Sequence, residues 1–134
     1  MARSRTLIRR SIALPTPERC LEAAELLTGE GVSARVVDMF TISPLDRDAV
    51  LDAARTTGAV LTVEEGNVTG GLGSAVAECL VEARLSVPFR RQGMPDEHVP
   101  VGPPAALYAH YRLDGPGIAD VARELIATSN GRSA

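Results

Sequence analysis

The chain has no lysine and no tryptophan, and aromatic residues make up only 3% of it. Without lysine there is no Walker-type Gly-Lys-Ser/Thr loop to hold a nucleotide. Without large rings the core must be assembled from Ala, Val, Leu and Ile, a composition that suits helices packed closely on a sheet. Every basic side chain is an arginine. That bias reflects GC-rich coding rather than phosphate recognition, and no function is read from it.

Cysteine is scarce too. Cys20 and Cys79 stand far apart in helical patterns with no Cys or His at metal-ligand spacing, which excludes a locally built zinc site. Both read as small buried side chains that need no oxidising compartment, so a cytoplasmic location is expected. No run reaches the roughly 20 apolar residues of a membrane span. Arg9 and Arg10 interrupt the one stretch near the start that would have to serve as a signal sequence. A formal net charge of -3 excludes a surface built to displace counterions from nucleic acid.

What is present is a 134-residue chain, 45% hydrophobic, the right size for a single core. One domain is expected over residues 1–134, with residues 1–4 and 129–134 frayed. Residues 5–14 read as a first strand that ends at Pro15 and Pro17. Thr16 precedes Pro17 at a first helical position, and the helix carries Leu21, Ala24 and Leu27 on one face before Gly29 and Gly31 stop it. SARVVDMF, with Val36 and Val37, is a short buried strand. Ser43 or Asp46 caps a second helix whose Ala49, Val50, Ala53 and Ala54 face inward, with Gly58 at its end.

AVLTV then forms the clearest strand, EEGNVTGGLG a turn, and Leu72, Val76, Cys79, Leu80 and Ala83 the inner face of a third helix. SVPFRR is a fourth strand that Pro88 pushes towards a sheet edge, and residues 93–104 are a loop. A short helix at AALYAHY and a last one at GIADVARELIAT, with Ile118, Val121, Ala122 and Leu125 aligned, complete the chain. Strands alternating with helices predict a three-layer α/β/α sandwich around a mostly parallel sheet of about four to five strands.

The glycine-rich turn between the third strand and its helix admits two readings. Gly70, Gly71 and Gly73 can present backbone N–H groups to an anion at a helix start. They can equally let the chain turn tightly and press against a neighbour or a partner subunit. The dinucleotide fingerprint Gly-x-Gly-x-x-Gly is absent. Glu64 and Glu65, just before the turn, resemble an acid/base pair, yet a carboxylate beside a helix start is favoured by the helix dipole alone. His98 reads as a solvated loop residue and His110 as a packing residue near Tyr108 and Tyr111.

Three segments, in order and in spacing, carry a resemblance. Thr41-Ile-Ser-Pro-Leu-Asp46, Gly58-Ala-Val-Leu-Thr-Val-Glu-Glu65 and Gly70-Gly-Leu-Gly-Ser-Ala-Val-Ala-Glu78 resemble the C-terminal domain of transketolases and deoxyxylulose-phosphate synthases. Gly93-Met-Pro-Asp96, Gly102, Leu107, Tyr111 and Leu113 are similar to the same family's downstream pattern, and the tyrosine helix favours it over the related beta subunits of 2-oxoacid dehydrogenases. The likeness covers roughly residues 20–127. Two positions depart from it. Gly66 follows the glutamates where relatives usually carry His or Asn, and Ala13-Leu-Pro-Thr-Pro17 replaces a Gly-Ser turn.

The resemblance implies a domain that lies outside the thiamine-diphosphate site of its relatives, and no Gly-Asp-Gly is present to start their diphosphate and magnesium motif. It therefore implies no cofactor on this chain, with thiamine diphosphate and magnesium on partner transketolase subunits that carry the diphosphate- and pyrimidine-binding domains. The expectation is a non-catalytic C-terminal subunit of a split transketolase, and a homodimer. The alternatives are a free-standing module binding a phosphorylated metabolite at Gly70–Gly73, or an enzyme using Glu64 or Glu65 as a base.

Overall fold

A computed structural model describes residues 4–10 and 17–131. Strands β1 (Ser4–Arg10), β2 (Ser33–Met39), β3 (Val60–Asn67) and β4 (Phe89–Met94) alternate with helices α1 (Pro17–Thr28), α2 (Arg47–Thr57) and α3 (Leu72–Glu82). Helices α4 (Pro104–His110) and α5 (Gly115–Gly131) follow. The four strands form one sheet in the order β2-β1-β3-β4, and every pairing is parallel. This is the expected α/β architecture. The expected strand residues 11–14 and Thr16 lie outside the described residues.

Side chains on β3 alternate between the two faces, as strand geometry requires. Leu61 and Val63 join Cys20, Ala23 and Leu27 of α1 and Ile118, Val121 and Ala122 of α5 in one core cluster. Val60 joins Met39, Val50, Ala53 and Ala54 with Leu72, Val76 and Cys79 of α3 in the other. The middle of β3 is therefore buried on both faces, which is why it reads as a continuous apolar run.

Four local expectations change, and one alternative is settled. The buried stripe of α1 is Cys20, Ala23 and Leu27, while Leu21 is 51% exposed. Seven residues make nearly two full turns, whereas a spacing of six leaves Leu21 about 120° from Leu27 around the helix. Asp46, not Ser43, caps α2, its Oδ1 accepting from the Ala49 N–H at 3.1 Å.

β3 does not stop at Val63. It continues through Glu64, Glu65 and Gly66 to Asn67, which pairs with Met94 after an irregularity in the ladder. β4 begins after Pro88, at the sheet edge as expected, and runs past Gly93 into the segment read as a loop. α5 begins at Gly115 and continues past Thr128 to Gly131. No helix among the described residues is long and apolar enough to cross a membrane.

Candidate functional site

The parallel sheet puts the C-terminal ends of all four strands on one rim, together with the start of α3. The strand order reverses between β1 and β3, and Glu64 and Glu65 stand at the end of β3 beside that reversal, where open α/β sheets hold their ligands.

Consecutive strand residues point to opposite faces, so the two glutamates cannot work as an acid/base pair on one substrate. Glu64 turns towards α3 and is only 5% exposed. Its Oε1 accepts from the Leu72 N–H at 3.1 Å and its Oε2 from the Gly73 N–H at 2.9 Å. The carboxylate thus takes the place an external anion would have at this helix start, and meets the positive end of the helix dipole. Glu65 turns the other way and accepts from Arg19 Nη1 at 3.1 Å. The Arg19 guanidinium lies 3.6 Å from the centre of the Tyr108 ring, so Glu65 links β3 through α1 to α4.

The glycines fit this arrangement individually. A Cβ on Gly71 would overlap Glu64 Oε1, and one on Gly73 would sit 2.6 Å from Arg91 Cγ and 2.8 Å from Thr62 Oγ1. On the neighbouring strand, a Cβ on Gly93 would come within 3.0 Å of Glu64 Cγ. Gly70 has a φ of +77°, and its N–H donates to Ser74 Oγ at 2.9 Å. Gly71 and Gly93 clear room for the buried Glu64, Gly73 clears room for Arg91 and Thr62, and Gly70 turns the chain.

Polar side chains brace the turn from outside. Arg91 Nη1 donates to Ser74 Oγ at 3.2 Å and to the Val68 carbonyl at 3.3 Å. Asn67 Oδ1 accepts from the Thr69 N–H at 2.8 Å while its Nδ2 donates to Asp96 Oδ1 at 3.3 Å. The Val68 N–H donates to the Met94 carbonyl at 2.8 Å, closing the turn against the end of β4.

Of the residues singled out in the sequence, the structure brings together Glu64, Gly70, Gly71 and Gly73, and sends Glu65 to the opposite face. His98 and His110 are exposed, and His110 stands edge-on to Tyr111 with ring centres 4.8 Å apart. Cys20 and Cys79 are both buried, and burial pushes the Cys79 thiol up from its ordinary value. Among the described residues no group of three or more His, Cys, Asp and Glu could hold a metal ion.

Sequence reasoning missed Arg19, Tyr108 and Arg91, which meet their partners only through the fold. Gly93 had a legible signal: a glycine inside a strand marks a close backbone approach.

A family model described as the transketolase C-terminal domain matches residues 15–118. The chain belongs to that family.

Among its relatives, 1-deoxy-D-xylulose-5-phosphate synthase of Syntrophotalea carbinolica is 42% identical over 85% of this chain. An apulose-4-phosphate transketolase subunit of Phocaeicola vulgatus is 44% identical over 78% of it. A solved structure described as a split gene transketolase, inactive beta4 tetramer, superposes over 95% of this chain with a TM-score of 0.84 at 37% identity. This transketolase C-terminal domain spans 18% of that synthase, 33% of the Phocaeicola protein and 40% of that solved chain.

The glycine turn of this transketolase C-terminal domain does not fit a diphosphate. The Leu72 and Gly73 N–H groups that would receive one are already bonded to the Glu64 carboxylate. A second anion there would face that charge in a buried site.

Proposed function

We propose that the chain is the C-terminal subunit of a split, thiamine-diphosphate-dependent transketolase. Partner subunits carry the diphosphate- and pyrimidine-binding domains with their magnesium, and the complex transfers a two-carbon ketol unit between sugar phosphates. The observation that carries this reading is its 44% identity to a relative named as a transketolase subunit, together with the 37% identity and 0.84 TM-score to a split gene transketolase.

The geometry of the glycine turn favours a supporting role over a catalytic one. Glu64 is spent on the backbone of α3 and Glu65 on Arg19. Gly70, Gly71 and Gly73 then serve as an interface turn rather than as an anion site, which also argues against a free-standing phosphometabolite module. The proposed complex is cytoplasmic, with the C-terminal domains paired as a homodimer.

Co-purification from the native source tests the proposal. A tagged copy of the chain is expected to retain chains that bind thiamine diphosphate. Retention of none, with the tagged protein folded, contradicts it.

A further inference from the structure

The two longest stretches of this chain without an Asp, Glu or Arg are residues 98–111 and residues 66–77. The first begins just beyond the C-terminal end of β4 and the second within the last two residues of β3, so both start at the same rim of the sheet. A chain with 23% charged residues has its longest uncharged segments here.

The first stretch is apolar as well as uncharged: Val99-Pro-Val-Gly-Pro-Pro-Ala-Ala-Leu-Tyr-Ala109. Val99, Leu107 and Tyr108 are partly buried and pack against the α1–α5 core. The other eight residues are exposed, and Val101 is fully so, at 103%. Helix α4 has no buried residue at all.

This surface is held in place. The Leu113 N–H donates to the Tyr108 carbonyl at 2.7 Å, the Leu107 N–H to the Pro103 carbonyl at 3.1 Å, and Tyr111 Oη to Glu97 Oε1 at 3.3 Å. Arg19 pins the Tyr108 ring from the α1 side. Pro100, Pro103 and Pro104 restrict the backbone further. An ordered strap that displays Val, Pro and Ala outward has little ordering entropy left to lose on binding, and a contiguous apolar surface of this kind marks a protein contact.

We infer that residues 99–109, centred on Val101, form the docking surface for the chain that carries the cofactor-binding domains. The inference rests on the split-transketolase reading. The relatives assign the occupant: the family model describes a C-terminal domain, and the chain covers 18% of one relative and 33% of another, so the polypeptide it must meet corresponds to the remaining stretch of those proteins. An uncharged surface calls for an uncharged, apolar patch on that partner, since a buried charge facing it would go unpaired.

The test compares wild type with Val101→Asp and with Ala105→Glu, both at exposed positions, and with Val81→Asp as a control. Val81 is 76% exposed near the end of α3, away from the rim. Binding to the cofactor-domain chains is measured by calorimetry, and the mass of each variant alone by light scattering. Val101→Asp and Ala105→Glu are expected to weaken binding by about thirtyfold or more, with unchanged melting temperature and unchanged mass alone, while Val81→Asp binds as wild type does.

Equal binding by Val101→Asp and wild type overturns the inference and leaves the split-transketolase reading standing. A wild-type dimer that Val101→Asp converts to monomer also overturns it, by assigning the surface to a second copy. If wild type binds no cofactor-domain chain, that reading fails and the inference falls with it.

Discussion

Glu64 and Glu65 are neighbours in the chain whose carboxylates bind different layers of the fold. Glu64 accepts from the Leu72 and Gly73 N–H groups at the start of α3, and Glu65 from Arg19 on α1. The two carboxylates that resemble an acid/base pair in the sequence tie the helices on both faces to the end of β3.

Glu64→Ala removes the acceptor for two buried N–H groups, and leaving buried donors unpaired is expected to destabilise the fold by about 2–4 kcal/mol. Glu64→Gln keeps one acceptor oxygen but turns an amide NH2 towards a backbone N–H, for a loss of about 1–2 kcal/mol. Urea denaturation measures both. An Ala variant as stable as wild type would show that the carboxylate does not hold α3.

The glycines separate by what surrounds them. Gly71→Ala must displace Glu64 Oε1, so it is expected to lose about as much stability as Glu64→Ala, and the double variant little more than either alone, because both changes break the same contact. Gly70→Ala, at a φ of +77°, is expected to lose about 1 kcal/mol through backbone strain. Gly66 meets open space, so Gly66→Ala is expected to be neutral or slightly stabilising. If all three substitutions have the same effect, the packing account of this turn is wrong.

Thr62 is fully buried, and its Oγ1 has no hydrogen-bond partner among the described residues. Replacing that hydroxyl by a methyl group removes a desolvated polar atom at nearly constant shape. Thr62→Val is expected to stabilise the protein by about 1 kcal/mol in thermal or urea unfolding. A loss of stability would mean that the hydroxyl is satisfied in solution.

Acid sensitivity has a local source in two exposed clusters. Hydrogen bonding by Arg123 lowers the Glu30 carboxyl from its ordinary value, with desolvation opposing. Hydrogen bonding first by Arg112 and then by Arg90 lowers that of Glu124. For a carboxyl lowered in the folded state, the stabilisation is complete above the unfolded value of 4.5 and disappears as pH falls through the folded value. Both pairs are solvated, so the effect is small and screened by salt. The double variant Glu30→Gln, Glu124→Gln is expected to lose less stability than wild type between about pH 5 and pH 3. Denaturation curves at the two pH values decide this, and parallel losses would contradict it.

Much of the fold was legible because its signals are local. Val60, Leu61 and Val63 form an apolar run long enough for a strand buried on both faces, and Ile118, Val121, Ala122 and Leu125 keep helical spacing. Asp46 and Gly58 bracket α2 with a cap and a left-handed stop. The extension of β3 through Glu64, Glu65 and Gly66 was not legible, because carboxylates and glycine read as turn chemistry unless the ladder to β4 is known.

A turn between the third strand and its helix was legible for the same local reasons, but it narrows to residues 68–71, and what packs around it depends on fold-level facts. That Glu64 folds back onto α3 follows from strand alternation and from Gly71 and Gly93 making room on two separate elements. The stacking of Arg19 on Tyr108 joins residues far apart in the chain, and no spacing rule brings them together.

On the split-transketolase reading, this C-terminal domain completes an enzyme whose cofactor domains are on other chains. Titrating the chain into a fixed amount of those purified partner chains, with thiamine diphosphate and magnesium, and following ketol transfer between sugar phosphates tests this. No turnover is predicted for the chain alone, and the rate is predicted to rise with added chain and to saturate at a fixed stoichiometry. A rate that is independent of the added chain, or turnover by the chain alone, would contradict it.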